Sequence, residues 1–128
     1  MSLDVYLYGP EELTACECRC ACGERHSHDH MSKPTLFGAN YTHNGTAMAD
    51  AAGIYAAVWR PDENGITHAA QLIEPLRIGI AAMEADPARF IAVEPPNKWG
   101  SFASFLPWCN EYLAACEANP TATVEVSR

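Results

Sequence analysis

The sequence predicts an α+β fold: a small antiparallel sheet, formed by a long N-terminal hairpin and a C-terminal strand, packed against about three helices, with a metal clip at the hairpin tip. Three observations carry this prediction. Strand-like runs stand at residues 3–8, 35–40 and 121–126, the first and last of them alternating. Between Thr46 and Cys116 the apolar residues recur at steps of three and four, the period of a helix. A Cys/His run from Cys16 to His30 joins the first two strands. Helices gathered on one face of an antiparallel sheet are the simplest way to bury these elements together. With 128 residues and 48% hydrophobic content, the chain suits a single domain, residues 1–128, around one core.

Leu3-Asp4-Val5-Tyr6-Leu7-Tyr8 alternates as a strand, and Gly9-Pro10 ends it. After the insert at residues 16–30, Lys33-Pro34 leads into the second strand, where Gly38 marks a bulge or a close backbone approach. Asn44 or Thr46 can cap a helix through Met48, Ala49, Ala51 and Ala52, with Gly53 as its C-cap; residues 54–59 form a further turn. Residues 60–65 are a loop by composition. Thr67 is read as the cap of the strongest helix, which keeps Leu72, Leu76, Ile80 and Met83 on one face, and Pro75 is expected to kink or divide it. Asp86-Pro87 starts a short turn carrying Phe90, and residues 94–100 form a Pro-rich loop. Ser101 caps the last helix, with its start delayed to Ser104 by Pro107. Phe102, Phe105, Leu106, Cys109, Tyr112, Leu113 and Cys116 are its apolar face. Pro120 stops it before the final strand.

Four of the six cysteines and three of the five histidines lie between Cys16 and His30, each type spaced by two. In a strand this spacing puts like residues on one face. A three-residue turn at Gly23, Glu24 and Arg25 would set Cys22 opposite His26, Cys20 opposite His28 and Cys18 opposite His30. Zinc takes four thiolate or imidazole ligands at about 2.0–2.3 Å, and Cys16, Cys18, Cys20, Cys22, His26, His28 and His30 are ligands enough for one or two Zn ions. Paired disulfides and free thiols are the competing readings. The thiolate-rich set favours a structural site. A zinc hydrolase built on His26, His28, His30 and Asp29 is a further reading, without a partner glutamate at a diagnostic spacing.

Sixteen acidic against eight basic side chains give a formal net charge of −8. Such a surface disfavours direct binding to a nucleic-acid backbone or an anionic membrane. No apolar run approaches the roughly 18 residues that span a bilayer, and residues 1–10 lack the basic start and apolar stretch of a signal peptide. The expectation is a cytoplasmic protein whose cysteines bind metal rather than pair. It would act on a protein partner or a small polar ligand, and an oligomer through the hairpin tip is compatible with the sequence.

The candidate ligand site is Asn40, Tyr41, His43 and Asn44, at a strand-to-helix junction, with Asn97, Lys98 and Trp99 as an opposing wall. The alternative is structural, with Asn44 capping, His43 satisfying a hydrogen bond and Trp99 filling the core. Cys109 and Cys116 read as small core hydrophobes and His68 as a surface residue. No phosphate-cradling glycine motif, serine elbow or zinc-protease motif is present, and no catalytic residue is assigned.

From Asn40 to Arg128 the chain also resembles a family of small bacteriophage and prophage proteins. The resemblance rests on Asn40-Tyr41-Thr42-His43-Asn44, Met48, Ala52-Gly53-Ile54-Tyr55, Trp59, Asn97-Lys98-Trp99-Gly100, Tyr112-Leu113-Ala114-Ala115-Cys116 and Ala122-Thr123-Val124-Glu125-Val126. Lys98 stands where the family's loop has glycine, and Pro107 falls where its helix continues. The family has no assigned activity. The resemblance therefore implies a bacterial-host setting, with a host or phage protein as partner and a role in host takeover or counter-defence. It also implies that the Cys-rich insert, which varies among relatives, is a stabilising module. The leading expectation is a zinc-stabilised accessory protein that binds without catalysis; the alternatives are a nucleotide-binding or nucleotide-sequestering protein and the zinc hydrolase.

Overall fold

The computed structural model describes the backbone of residues 2–10, 12–19, 25–97 and 99–128, and the side chains of these residues outside 12–19 and 25–32. The α+β class holds, with a three-stranded antiparallel sheet and five α-helices among the described residues. β1 (Ser2–Tyr8) is the central strand, flanked by β4 (Thr35–Thr42) and β5 (Thr123–Ser127). Its alternation is read directly in the burial: Leu3, Val5 and Leu7 are fully buried beneath the helices, whereas Asp4, Tyr6 and Tyr8 lie on the other face. The long-hairpin expectation survives in altered form. β1 pairs with β4 through Ser2↔Thr42, Asp4↔Asn40 and Leu7↔Phe37, and farther out β2 (Glu12–Arg19) pairs with β3 (Arg25–Ser32) as a separate two-stranded ribbon. The register slips between Leu7 and Tyr8, not at Gly38, which pairs in register with Tyr6 beneath that tyrosine's ring.

The ribbon corrects the expected turn. Its last described pair is Arg19↔Arg25, and residues 20–24 lie outside the described residues. Cys18 therefore opposes His26, Cys16 opposes His28 and Thr14 opposes His30. Each histidine meets a partner four positions earlier than expected. Four is an even number, so the assignment of residues to faces is unchanged.

The middle of the chain contains more helices than the three expected. After a 3-10 turn (His43–Gly45) come α1 (Thr46–Ala51) and α2 (Tyr55–Trp59), then α3 (Ala70–Ala85), α4 (Pro87–Ile91) and α5 (Phe102–Ala118). Gly53, at φ 75°, ends α1 as its composition suggests. The caps differ from expectation. Thr42, rather than Asn44 or Thr46, accepts a hydrogen bond from the Asn44 amide, and α3 begins at Ala70, with Gln71 Oε1 accepting from the Thr67 and His68 amides.

Neither proline divides its helix. Pro75 and Pro107 each occupy the sixth residue of an unbroken α3 and α5, and α5 starts at Phe102. An interior proline removes one backbone hydrogen bond at about 3 kcal/mol. Leu72 and Leu76 flank the first and Phe105 and Trp108 the second, all of them buried, so core packing holds both turns in place. Trp108, absent from the expected apolar face, joins Tyr41, Trp59, Phe105 and Tyr112 in an aromatic cluster with ring centroids 5.1–6.5 Å apart. Among the described residues, no helix is long and apolar enough to cross a membrane.

Candidate functional site

Strand parity builds the site. Ser2 opposes Thr42 and Asp4 opposes Asn40, which puts all four on the sheet face turned away from the helices. Across this face Asn40 Nδ2 donates to Asp4 Oδ1 at 2.8 Å and to Leu3 O at 3.4 Å, fixing the amide plane. Beyond the strand the chain tightens into the 3-10 turn, where Thr42 Oγ1 accepts the Asn44 amide at 3.3 Å. His43 is held from beneath: the Trp59 indole N–H donates to His43 Nδ1 at 3.0 Å. An indole can only donate, so Nδ1 is the acceptor and the neutral ring carries its proton on Nε2.

The opposing wall is the turn between α4 and α5. Glu94 Oε1 accepts the Phe102 amide at 2.7 Å, anchoring the loop to the N-terminus of α5, where a carboxylate is favoured. Asn97 Oδ1 accepts the Trp99 amide at 3.0 Å and closes an Asx turn. Gly100, at φ 85°, then reverses the chain against the 3-10 turn. A β-carbon on Gly100 would stand 2.8 Å from Thr42 Cγ2 and 3.3 Å from the Gly45 amide nitrogen. Only glycine permits both this backbone and this approach.

The two segments therefore meet. Ser2, Asn40, Thr42, His43, Asn44 and Trp99 line a concavity of about 510 Å³. Of the sequence candidates, Asn40, His43, Asn44 and Trp99 are in its lining. Asn97 acts one step back, through its hydrogen bond to the Trp99 backbone. Lys98 lies outside the described residues. Tyr41 takes the opposite face: its ring is 7% exposed among Phe105 and Trp108, and its hydroxyl lies 2.8 Å from Ser104 Oγ. Burial raises its pKa above 10.0. Ser2 and Thr42 were missed, although the period of two that buries Tyr41 also aligns Asn40 with Thr42. Trp99 does not fill the core; 72% of its surface is exposed.

His43 also borders a second concavity of about 340 Å³, shared with Thr46, Tyr55, Trp59, Arg60 and Arg128. Both arginines there are paired, Arg60 with Glu63 at 3.3 Å and Arg128 with Asp62 at 2.7 Å. The thiols of Cys109 and Cys116 lie in the core, and burial raises the pKa of both, that of Cys116 to about 12. Among the residues whose side chains are described, no three His, Cys, Asp or Glu are grouped to hold a metal. Of the clip candidates, Cys16, Cys18, His26, His28 and His30 are placed by backbone register, and Cys20 and Cys22 lie outside the described residues. Asp29, between His28 and His30, opposes Ala15 and belongs to the face opposite the histidines, which separates it from the expected hydrolase set. Comparison with protein-family models, curated proteins and solved structures finds no match to this chain.

Proposed function

We propose that the protein captures a small ligand bearing a planar, polar heterocycle of the nucleobase class in the concavity between Asn40, Thr42, His43, Asn44 and Trp99, without transforming it. The exposed indole of Trp99 at the rim of a polar concavity carries this reading. A large aromatic left in solvent beside amide and hydroxyl groups supplies what a base requires: a stacking face, and donors and acceptors for its edge. The described lining carries no formal charge, which suits an uncharged base or nucleoside better than a polyanion, as does the net charge of −8. Neither core thiol lines the concavity to act as a nucleophile.

The test is a titration of the full chain with adenosine, guanosine, cytidine and uridine and their 5′-monophosphates, followed by Trp fluorescence and calorimetry. Saturable binding of at least one, with the ligand recovered unchanged, is expected. Stacking on an aromatic contributes about 1–3 kcal/mol, so Trp99→Ala should weaken that binding by roughly 5-fold to 150-fold. No heat and no fluorescence change with any of them at millimolar concentration would rule the proposal out.

A further inference from the structure

The β2–β3 ribbon pairs as a sheet of two strands, separate from the three-stranded sheet, and a two-stranded ribbon alone is marginal in water. Neither face supplies an apolar stripe. On one face Leu13 opposes Met31, but the pairs that follow are Ala15↔Asp29, Glu17↔Ser27 and Arg19↔Arg25. The last sets two like charges directly opposite one another, which is destabilising. The other face carries Thr14↔His30, Cys16↔His28 and Cys18↔His26.

We propose that Cys16, Cys18, His26 and His28 form a single tetrahedral zinc site that staples the ribbon. The register puts these four on one face as two adjacent, directly opposed Cys–His pairs. In such an arrangement Cα atoms lie about 4.5–5.5 Å apart across the strands and about 6.8 Å apart along them, a span that four side chains can close over one ion. Two thiolates and two imidazoles are a complete structural set for Zn²⁺ and balance its charge once the thiols have lost their protons. His30 is outside the set because it opposes Thr14 rather than a cysteine. The register also counts against a disulfide here, since no described cysteine opposes another and Cys16 and Cys18 stand at the outer limit of Cα separation for one.

The probe is Co²⁺ titrated into the reduced full chain and then displaced by Zn²⁺. Uptake of one equivalent is expected, with tetrahedral d–d bands and thiolate charge-transfer bands, and release of protons on binding. Cys16→Ser/Cys18→Ser should abolish these bands. Cys20→Ser/Cys22→Ser and His30→Ala should keep them. The near-ultraviolet dichroism of Trp59 and Trp108, both in the main core, confirms for each variant that the body is folded. His26→Ala, a milder change, should keep charge transfer while weakening affinity. No stoichiometric uptake by the unaltered chain, full retention in the Cys16/Cys18 variant, or loss in the Cys20/Cys22 variant would each overturn the assignment.

Discussion

Replacing Gly100 by alanine tests whether the two walls of the concavity are locked together as described. Gly100 sits at φ 85°, where a side chain costs about 1–2 kcal/mol. Its added methyl would stand 2.8 Å from Thr42 Cγ2, 3.3 Å from the Gly45 nitrogen and 3.5 Å from the Asn44 carbonyl carbon. Overpacking of this kind costs about 1–3 kcal/mol. The two effects have separate physical origins, and together they predict a loss of about 3 kcal/mol, or about 10 °C in Tm for a domain of this size. Thr42→Ser removes the Cγ2 methyl and keeps the hydroxyl that accepts the Asn44 amide. In the double variant the steric share should be recovered and the backbone share should remain, giving a favourable coupling of about 1 kcal/mol or more. Urea unfolding followed by Trp fluorescence measures all four corners of the cycle. A Gly100→Ala variant within about 0.5 kcal/mol of the parent, or additive effects of the two substitutions, would refute the packing argument.

Other perturbations have equally definite outcomes. Glycine to alanine inside a helix ordinarily stabilises by about 0.5–1 kcal/mol. Gly79→Ala in α3 should instead destabilise, by about 1–3 kcal/mol in thermal unfolding, because the new β-carbon would collide with Ile54 Cγ2; a raised Tm would refute this. Cys109 and Cys116 should resist a thiol reagent at mildly alkaline pH until the protein is denatured, since burial raises both pKa values. Rapid modification of either in the folded chain would contradict their placement in the core. The Arg128 hydrogen bond holds Asp62 below its ordinary pKa of 3.8. Its stabilising contribution is therefore present above that value and lost as pH falls through the lower folded value. The stability gap between the parent and Asp62→Asn should narrow on acidification below about pH 4 and be small throughout, because the pair is exposed.

Particular residues show how far local pattern reaches. Alternation in residues 3–8 identified the strand, and the structure buries its apolar set, Leu3, Val5 and Leu7, because successive side chains of a strand must take opposite faces whatever surrounds them. The steps of three and four through Leu72, Leu76, Ile80 and Met83 located α3 and its buried face for the same kind of reason. The same parity, applied to Asn40, Tyr41 and Thr42, would have assigned Tyr41 to the core and brought Thr42 into the site. The prolines went the other way. Pro75 was expected to kink or divide its helix and Pro107 to delay the start of the last one, yet α3 and α5 run unbroken through them, because the packing of Leu76, Phe105 and Trp108 depends on distant elements.

The sequence by itself determined the α+β class, the faces of the strands, the helical middle and the two polar segments at 40–44 and 97–99, since each follows from residue types and spacing along one stretch of chain. Tertiary structure decided the rest. It joined those segments by seating Gly100 against Thr42, and it left Trp99 in solvent instead of the core. It also set the ribbon pairing at Cys18↔His26, a choice local spacing leaves open because every even shift of register preserves the same faces. Contacts between residues some sixty positions apart depend on how the helices pack over the sheet, and no periodicity within either segment encodes that packing.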